Sequence, residues 1–438
     1  MKRISTFFVI CILQSAICNS EDWPQWRGPA SSGVSAARNL TVEWSGSQNI
    51  EWKTAIPGRG HSSPVVWGNR IFLTAAVEGA VVPGKVAAPK HKLEGQDFAH
   101  PDAMGADRRH NLFVLSIDAD TGKILWQKSA YEGPVSDSRH RGGSFASLTP
   151  VTDGKTVYAY FGSEGLYAYD FSGKLRWKYA PGNLGTLGVG HGASPVLYQN
   201  LVILQCDEDE GNHSFIVGVN KRSGREVWRT PRRVSLSWST PLLTRAGDRM
   251  ELIASGNEWV IAYDPATGKE LWRSDGLKSN AVATPLAGHG MVYVSAGNPE
   301  KRTLALKVGG SGNISETGLA WKYEKGTAYV ASNILHDGLL YLIADKGILS
   351  CLDARTGEVK YDSGRPPVAG RFSSSPVAFE DKILITSEDG DTVVVKAGPK
   401  YEVLRTNSIG EGVFASPAIA GGRIYIRGLQ HLYAIRQH

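Results

Sequence analysis

The chain has 438 residues, a formal net charge of +6 and 21% charged residues, and it contains 50 glycines and 12 tryptophans. An apolar fraction of 42% is typical of a folded protein and argues against a disordered one. The glycines follow no period of three, which excludes collagen, and four cysteines are too few for a disulfide-stapled scaffold.

The start of the chain has the pattern of a secretory signal peptide. Lys2 and Arg3 precede an apolar run at 7–13, and small residues follow before Glu21. This run is too short to span a bilayer, and no later segment is long and apolar enough to do so. We therefore expect residues 1–20 to be removed and the mature chain to be exported, to the periplasm or the cell exterior, without a transmembrane segment. The remaining positive charge is small and interspersed, so no nucleic-acid partner is expected.

Internal repeats dominate the rest of the chain. Each repeat opens with a small residue and a Ser or Thr, usually followed by Pro, and then continues as a β-rich run. The hydroxyl position is filled in all eight repeats, by Ser63, Thr149, Ser194, Thr240, Thr284, Ser332, Ser375 and Ser416. The first interval is 86 residues and the others are 41–48, so the first repeat carries an insertion.

Each repeat has the plan of one propeller blade, which is four antiparallel strands in about 45 residues. The last repeat ends at 431–435, one strand short, and the segment 49–53 at the other end of the chain supplies the missing strand. The sequence therefore predicts an all-β, eight-bladed β-propeller over 49–438, whose ring is closed by the N-terminal strand. Residues 21–48 are expected to pack on the propeller.

An aromatic residue recurs near the end of the fourth strand of most blades. We expect these side chains to wedge between neighbouring blades and to have a structural role only. The residues at this position are Trp52, Trp126, Trp177, Trp228, Trp272, Trp321 and Tyr361.

The segment 262–272, Ala-Tyr-Asp-Pro-Ala-Thr-Gly-Lys-Glu-Leu-Trp, resembles the tryptophan-docking repeat of the PQQ-like, or quinoprotein-type, propellers. The opening 22–29, Asp-Trp-Pro-Gln-Trp-Arg-Gly-Pro, looks like the start of a secreted bacterial branch of that superfamily. Members of this branch are often described as similar to the outer-membrane assembly factor BamB. The repeats build the scaffold, so this resemblance implies the fold more strongly than the function.

The resemblance raises the question of a cofactor. A PQQ-dependent dehydrogenase needs the quinone, a Ca²⁺ ion with oxygen ligands and a carboxylate base. The mature chain lacks the adjacent cysteine pair of the large alcohol-oxidising members, so PQQ with calcium is kept only as an alternative and no catalytic residue is assigned. The consecutive carboxylates Glu208, Asp209 and Glu210 are weak candidates for Ca²⁺ binding, because consecutive residues in an extended loop diverge.

Blade one has two long extensions, 77–110 and 127–149, which exit on the same face of a four-stranded meander. We call this the loop face; the residues just before each inner strand lie there too. Long loops on a rigid scaffold are frequent binding sites, although these loops also suit a packed lid. The candidate binding residues are His61, His91, His100, His110, Arg139, His140, Arg141, His191, Trp238, Phe372 and Phe414.

Three hypotheses for the function follow. The first is an exported, non-catalytic, BamB-like scaffold of the cell envelope that binds other envelope proteins, or a polar ligand, on the loop face. The second is a PQQ- and calcium-dependent alcohol or sugar dehydrogenase. The third is a hydrolase or lyase that acts on cell-surface polymers through the His-, Arg- and Asp-rich extensions.

Overall fold

The computed structural model describes residues 21–93 and 95–437, so the expected signal peptide at 1–20 lies outside the described residues. The chain forms eight antiparallel blades in a ring, which confirms the predicted eight-bladed β-propeller. A short 3₁₀ helix at Gly162–Glu164 interrupts blade two. Within the described ranges, no helix is long and apolar enough to cross a membrane.

Blades one to four each contain four strands, from the channel outward. Blade one has Val65–Trp67, Arg70–Val81, Arg108–Asp118 and Ile124–Pro134. Blade two has Val151–Thr152, Thr156–Tyr160, Leu166–Asp170 and Leu175–Tyr179. Blade three has Val196–Tyr198, Leu201–Cys206, Phe215–Asn220 and Glu226–Pro231. Blade four has Leu242–Ala246, Arg249–Ala254, Trp259–Tyr263 and Glu270–Asp275.

Blades five to eight follow the same order. Blade five has Leu286–Gly288, Met291–Ala296, Arg302–Lys307 and Leu319–Tyr323. Blade six has Ile334–His336, Leu339–Ile343, Leu349–Asp353 and Val359–Gly364. Blade seven has Val377–Phe379, Lys382–Thr386, Asp391–Lys396 and Val403–Ser408. Blade eight has Ala418–Ala420, Arg423–Arg427, His431–Ile435 and Ile50–Ala55. Short additional strands are Val34–Ser35, His91–Leu93, Gln96–Phe98, Ala103–Met104, Arg139–His140 and Gly312–Asn313.

The N-terminal strand closes the ring as predicted. Ile50–Ala55 pairs antiparallel with His431–Ile435, with Ala55 opposite His431. The apolar core lies mainly between blades; Ile203 of blade three and Leu252 of blade four, for example, belong to one buried cluster. Each blade therefore depends on its neighbours for burial, and closure supplies the neighbour that the first and last repeats would otherwise lack.

Hydrogen bonds between blades explain why the hydroxyl position is always filled. The Ser63 N–H donates to Thr149 Oγ1 at 2.9 Å, and at the ring closure the Ser416 N–H donates to Ser63 Oγ at 3.1 Å. The same bond to the next blade starts from Thr149, Ser194, Thr284, Ser332 and Ser375. These positions are buried, so a residue without a hydroxyl would leave a buried N–H unpaired.

The repeated tryptophans connect each blade to the next one. Trp126 Nε1 of blade one donates to the Phe171 carbonyl of blade two at 2.9 Å, and Trp177 Nε1 of blade two donates to the Lys221 carbonyl of blade three at 3.0 Å. The same type of bond is made by Trp52 and Trp321. An indole ring wedged between sheets buries a large apolar area while its N–H keeps a partner.

The remaining positions of this set depart from that pattern. Trp228 packs on the glycine turn of blade four, and the Tyr361 ring lies 5.8 Å from the Tyr401 ring of blade seven. Trp272 is fully buried and donates Nε1 to Glu251 Oε2 of its own blade at 2.9 Å. The same sequence position is therefore used for two different types of contact.

We expect Gly224→Ala to destabilise the protein more than Gly290→Ala, by about 1–3 kcal/mol. Both glycines have a positive φ, +70° and +75°, so both substitutions pay a similar backbone cost. A Cβ at Gly224 would lie 2.7 Å from the Trp177 ring, whereas one at Gly290 would meet nothing within 4 Å. Urea unfolding of the two variants measures the difference, and equal losses would show that the turn does not need this close approach.

Residues 23–35 contact the inner strands of several blades, and residues 42–44 lie against the outer strand of blade seven. Trp23 is fully buried and forms an isolated antiparallel β-bridge with Val66 of blade one. The strand Val34–Ser35 pairs parallel with the inner strand of blade seven. Arg27 is 2% exposed and donates to the carbonyls of Asn333 and Pro376. Burial lowers the pKa of this guanidinium to about 9. Trp23 and Trp44 of this segment belong to the buried apolar cluster that includes residues of blades one, seven and eight.

Candidate functional site on the loop face

The blade-one extensions form one layer over the loop face. The second and third strands of blade one run beyond the blade, pairing from Arg70 with Asp118 to Val81 with Arg108, so the insertion expected at 77–110 begins and ends as strand. Ala103–Met104 of this insertion pairs antiparallel with Arg139–His140 of the second extension. The structure therefore brings the two extensions together.

His91 attaches the insertion to the face. His91 Nδ1 lies 2.8 Å from Asp209 Oδ2, and His91 Nε2 lies 3.0 Å from Asp137 Oδ1. The bond to Asp137, and then the bond to Asp209, raise the pKa of His91 to about 10. An imidazolium between two carboxylates therefore joins the insertion, the connection after blade one and the loop of blade three; we call this the His91 clamp. Sequence reasoning named His91 but missed this pairing.

The acidic cluster of blade three does not converge on one point. Glu208 Oε1 accepts a bond from the His213 N–H at 2.9 Å, and Glu210 Oε1 accepts one from the Gly95 N–H at 3.2 Å. Asp209 is held in the His91 clamp. Among residues 21–93 and 95–437, no group of three or more His, Cys, Asp or Glu side chains is arranged to hold a metal ion.

His100, His140 and Arg141 lie around Asp102 at the outer part of the layer. His140 Nε2 is 3.3 Å from Asp102 Oδ2, and Arg141 Nε is 3.0 Å from Asp102 Oδ1. The His100 and His140 rings meet edge to face at 5.7 Å. Arg141 is 74% exposed, so this group is a solvated polar surface.

His110 has a structural environment. It is 2% exposed, its Nε2 lies 2.9 Å from the Gly105 carbonyl, and its ring packs 4.4 Å from the Phe145 ring. Burial lowers its pKa. The ring is therefore part of the packing under the extensions.

At the mouth of the channel, side chains of the neighbouring blades one and eight pack against each other. The His61 ring stacks on the Phe414 ring at 4.7 Å, with 10° between the planes. Next to them the Arg427 guanidinium is buried and donates to the Ser62 carbonyl at 3.1 Å. Burial, and then the charges of Arg59, Arg427 and Arg139, lower the pKa of His61 to about 3, so this ring is neutral at pH 7. We call Arg59 to Ser62, Phe414 and Arg427 the channel mouth.

Sequence reasoning missed Arg427. It ends the second strand of blade eight, and the strand register places it where other blades have uncharged residues. The equivalent residues of three other blades are Thr74, Ser295 and Thr386. An alignment of the repeats by strand register would have singled out this arginine.

The three other predicted residues of this face lie apart from the channel mouth or are packed. Trp238 Nε1 donates to the Gly190 carbonyl at 2.8 Å, and Ser163 Oγ lies 3.4 Å from His191 Nε2. Burial lowers the pKa of His191 to about 4. Phe372 is 1% exposed and belongs to the cluster between blades six and seven.

The cavity beside His191 is small. It is lined by residues that include Asp137, Glu164, Thr186 and His191, and its volume is about 20 Å³. That volume holds about one water molecule. Sites for cofactor-sized ligands measure roughly 300–1,000 Å³. The cavity beside His191 is thus too small for PQQ, and the carboxylates of blade three are too far apart to hold a calcium ion beside it. The residues of the loop face described above therefore do not fit PQQ with calcium.

Comparisons with known proteins agree on the fold and differ in function. A family model described as outer membrane protein assembly factor BamB matches residues 111–363, more than half of the chain. BamB of Yersinia pestis is 24% identical over 349 residues, which are 74% of this chain and 79% of that protein. The crystal structure of BamB from Moraxella catarrhalis has a TM-score of 0.55 at 15% identity, covering 83% of this chain and 98% of that one. Quinohemoprotein alcohol dehydrogenase from Comamonas testosteroni has a TM-score of 0.64 at 14% identity, covering 95% and 80%. At these identities the two structural likenesses show the fold alone.

Proposed function

The chain belongs to the family of outer membrane protein assembly factor BamB, and on that premise we propose that it is an exported, non-catalytic scaffold of the cell envelope. In this proposal, the loop face binds other envelope proteins. The observation that carries it is the packing at the channel mouth between blades one and eight, where the His61 ring stacks on Phe414 and Arg427 is buried. A face whose described cavity holds about one water molecule suits a macromolecular partner better than an organic substrate of cofactor size.

The blade-one insertion supplies the exposed apolar side chains that such a partner would cover. Val81, Val86, Leu93 and Met104 are 39–62% exposed. They stand beside charged residues on a layer that the His91 clamp holds in place. Apolar side chains within a polar surround, on a rigid support, are typical of protein-binding surfaces.

We expect the double variant Val86→Asp, Met104→Asp to fold normally but to lose at least tenfold in affinity for its envelope partner. Both side chains are exposed, so the substitutions cost little stability, whereas a charge at the centre of an interface must be desolvated on binding. Affinity purification from envelope extracts with quantitative mass spectrometry measures the recovery of each partner.

A matched control carries Val227→Asp and Val359→Asp, which place the same charges on outer strands of blades three and six, where both valines are exposed. The proposal requires one and the same envelope protein to be recovered with the wild type and the control and to be lost with the insertion variant. Equal recovery with all three proteins would refute the assignment to this face. Fractionation of cells that express the full chain tests the export.

A further inference from the structure

Arg427 is a buried charge without a counter-ion in the described part of the chain. It is 2% exposed, and its Nη1 donates to the carbonyl and the hydroxyl of Ser62 at 3.1 and 2.6 Å. Burial lowers its pKa to about 9, and no charged group of the described residues opposes that effect. Burying a cation against neutral groups only is costly. Arg27 offsets this cost with bonds to three backbone carbonyls, whereas the hydrogen bonds of Arg427 to described residues go to Ser62 alone.

Gly60 makes the space for this guanidinium. A Cβ at Gly60 would lie 2.2 Å from Arg427 Nη2, so any other residue would displace the head group. Its neighbours in sequence, Arg59 and His61, are both partly exposed, and Arg59 Nε and His61 Nε2 are buried without a hydrogen-bond partner among the described residues. The two residues that flank Gly60 in sequence therefore each carry a buried side-chain nitrogen without a hydrogen-bond partner.

The surroundings of these donors are cationic. Gly60, which lies between Arg59 and His61 in sequence, packs against the Arg427 guanidinium. Arg139 Nη1 donates to the Gly143 carbonyl, and the hydroxyl of the adjacent Ser144 donates to the Arg59 carbonyl at 3.1 Å, so the three arginines share one neighbourhood. Among the described residues, the acidic Glu78 reaches this neighbourhood; it lies 4.0 Å from Arg139 Nη2 and already pairs with Arg108 at 3.2 Å. Low-dielectric walls around charges of one sign concentrate the field and attract counter-ions.

We propose that the channel mouth is an anion-binding site, in which Arg59, His61 and Arg427 hold a carboxylate or phosphate group. Guanidinium N–H groups match the oxygens of both anions, and in its Nε2–H tautomer the neutral His61 ring offers a further N–H while its face stays on Phe414. The partly exposed Arg59 and His61 form the side open to solvent, so the anion arrives from the loop face.

The test is calorimetric titration of the purified protein at pH 7 with inorganic phosphate, and separately with citrate, at an ionic strength held constant with NaCl. We expect saturable binding of at least one of the two, with an affinity that falls at least tenfold in Arg59→Gln and in His61→Phe. His61→Phe keeps a ring to stack on Phe414 but lacks the N–H. Arg371→Gln, which is on the same face and 65% exposed, is the control and should bind as the wild type does.

The two titrants distinguish the sources of the anionic group: phosphate alone indicates a phosphate ligand, and citrate alone a carboxylate. Arg427→Met should lose binding as well, and its thermal stability without anion should equal or exceed that of the wild type, because an unpaired buried charge is removed. No binding of either anion, or binding that Arg59→Gln leaves unchanged, would overturn the proposal. No envelope partner is needed, so this result is independent of the capture experiment.

Discussion

His91→Ala is expected to destabilise the protein by about 3–5 kcal/mol and to release the blade-one insertion from the loop face. In the His91 clamp the side chains of His91, Asp137 and Asp209 are 8%, 9% and 13% exposed. Removing the imidazolium leaves two carboxylates facing each other in a dry site, which costs far more than losing a surface ion pair. Chemical denaturation measures the loss of stability, and amide hydrogen exchange over 77–110 measures the release.

His140→Ala is the matched control on the same layer. His140 pairs with Asp102 at 3.3 Å, but its side chain is 41% exposed, so we expect a loss of at most about 1 kcal/mol. If the two alanine variants lose the same stability, or if exchange over 77–110 is unchanged in His91→Ala, the clamp does not hold the insertion.

The pH dependence of the clamp has a definite sign. The bond to Asp137, and then the bond to Asp209, raise the pKa of His91 from 6.5 to about 10, so its stabilisation is complete below pH 6.5 and is lost as the pH rises through 10. Burial opposes ionisation of Asp137, but the bonds from His91 and Thr186 outweigh it and hold the pKa of that carboxyl below 3.8. Its stabilisation is therefore present above pH 3.8 and is lost as the pH falls further. The difference in unfolding free energy between the wild type and His91→Gln should therefore be largest between pH 3.8 and pH 6.5. It should decline as the pH rises from 6.5 to 10.

Trp272→Ala is expected to cost about 3–5 kcal/mol, more than the same change at Trp177. Trp272 is fully buried, because the segment Gly312–Asn313 adds a parallel strand outside it, whereas Trp177 is half-buried. The substitution opens a cavity and also removes a donor from the carboxylate of Glu251, which is itself fully buried. Thermal and urea unfolding of both variants give the comparison.

Trp272→Phe separates the two contributions. The ring is largely kept, while the 2.9 Å bond to Glu251 is lost, at a cost of about 1.5–3 kcal/mol for a hydrogen bond to a charged group. A Phe variant as stable as the wild type would show that the bond to Glu251 contributes nothing to stability. Equal losses of stability for Trp272→Ala and Trp177→Ala would show that the deeper burial of Trp272 has no energetic consequence.

The repeat pattern was sufficient to predict the architecture. Ser or Thr at the start of each inner strand, glycine in the outer turn and an aromatic residue after it recur at nearly constant spacing, and contacts with a neighbouring blade explain all three. The short last repeat was enough to predict that 49–53 completes blade eight, observed as Ile50–Ala55 against His431–Ile435.

The candidate site was predicted only in part, as a face and a set of residue types. His91 was named because it lies in a long insertion, but its partner Asp209 is 118 residues away, and spacing does not reveal that contact. Arg427 was not named, because a single arginine at a strand end looks like a solvated residue until Ser62, 365 residues away, is known to accept its bond.

The sequence by itself thus determined the scaffold of this protein: an eight-bladed ring closed by its N-terminal strand, with its excess length in blade one. Local pattern suffices for that, because every blade meets nearly the same neighbours and repeats the same residues to satisfy them. Only the tertiary structure decided which side chains of the loop face are held in ion pairs, which pack against each other, and which keep a nitrogen without a hydrogen-bond partner. Those properties depend on burial and charge among segments that ring closure brings together, and these do not follow from the spacing of residues along the chain.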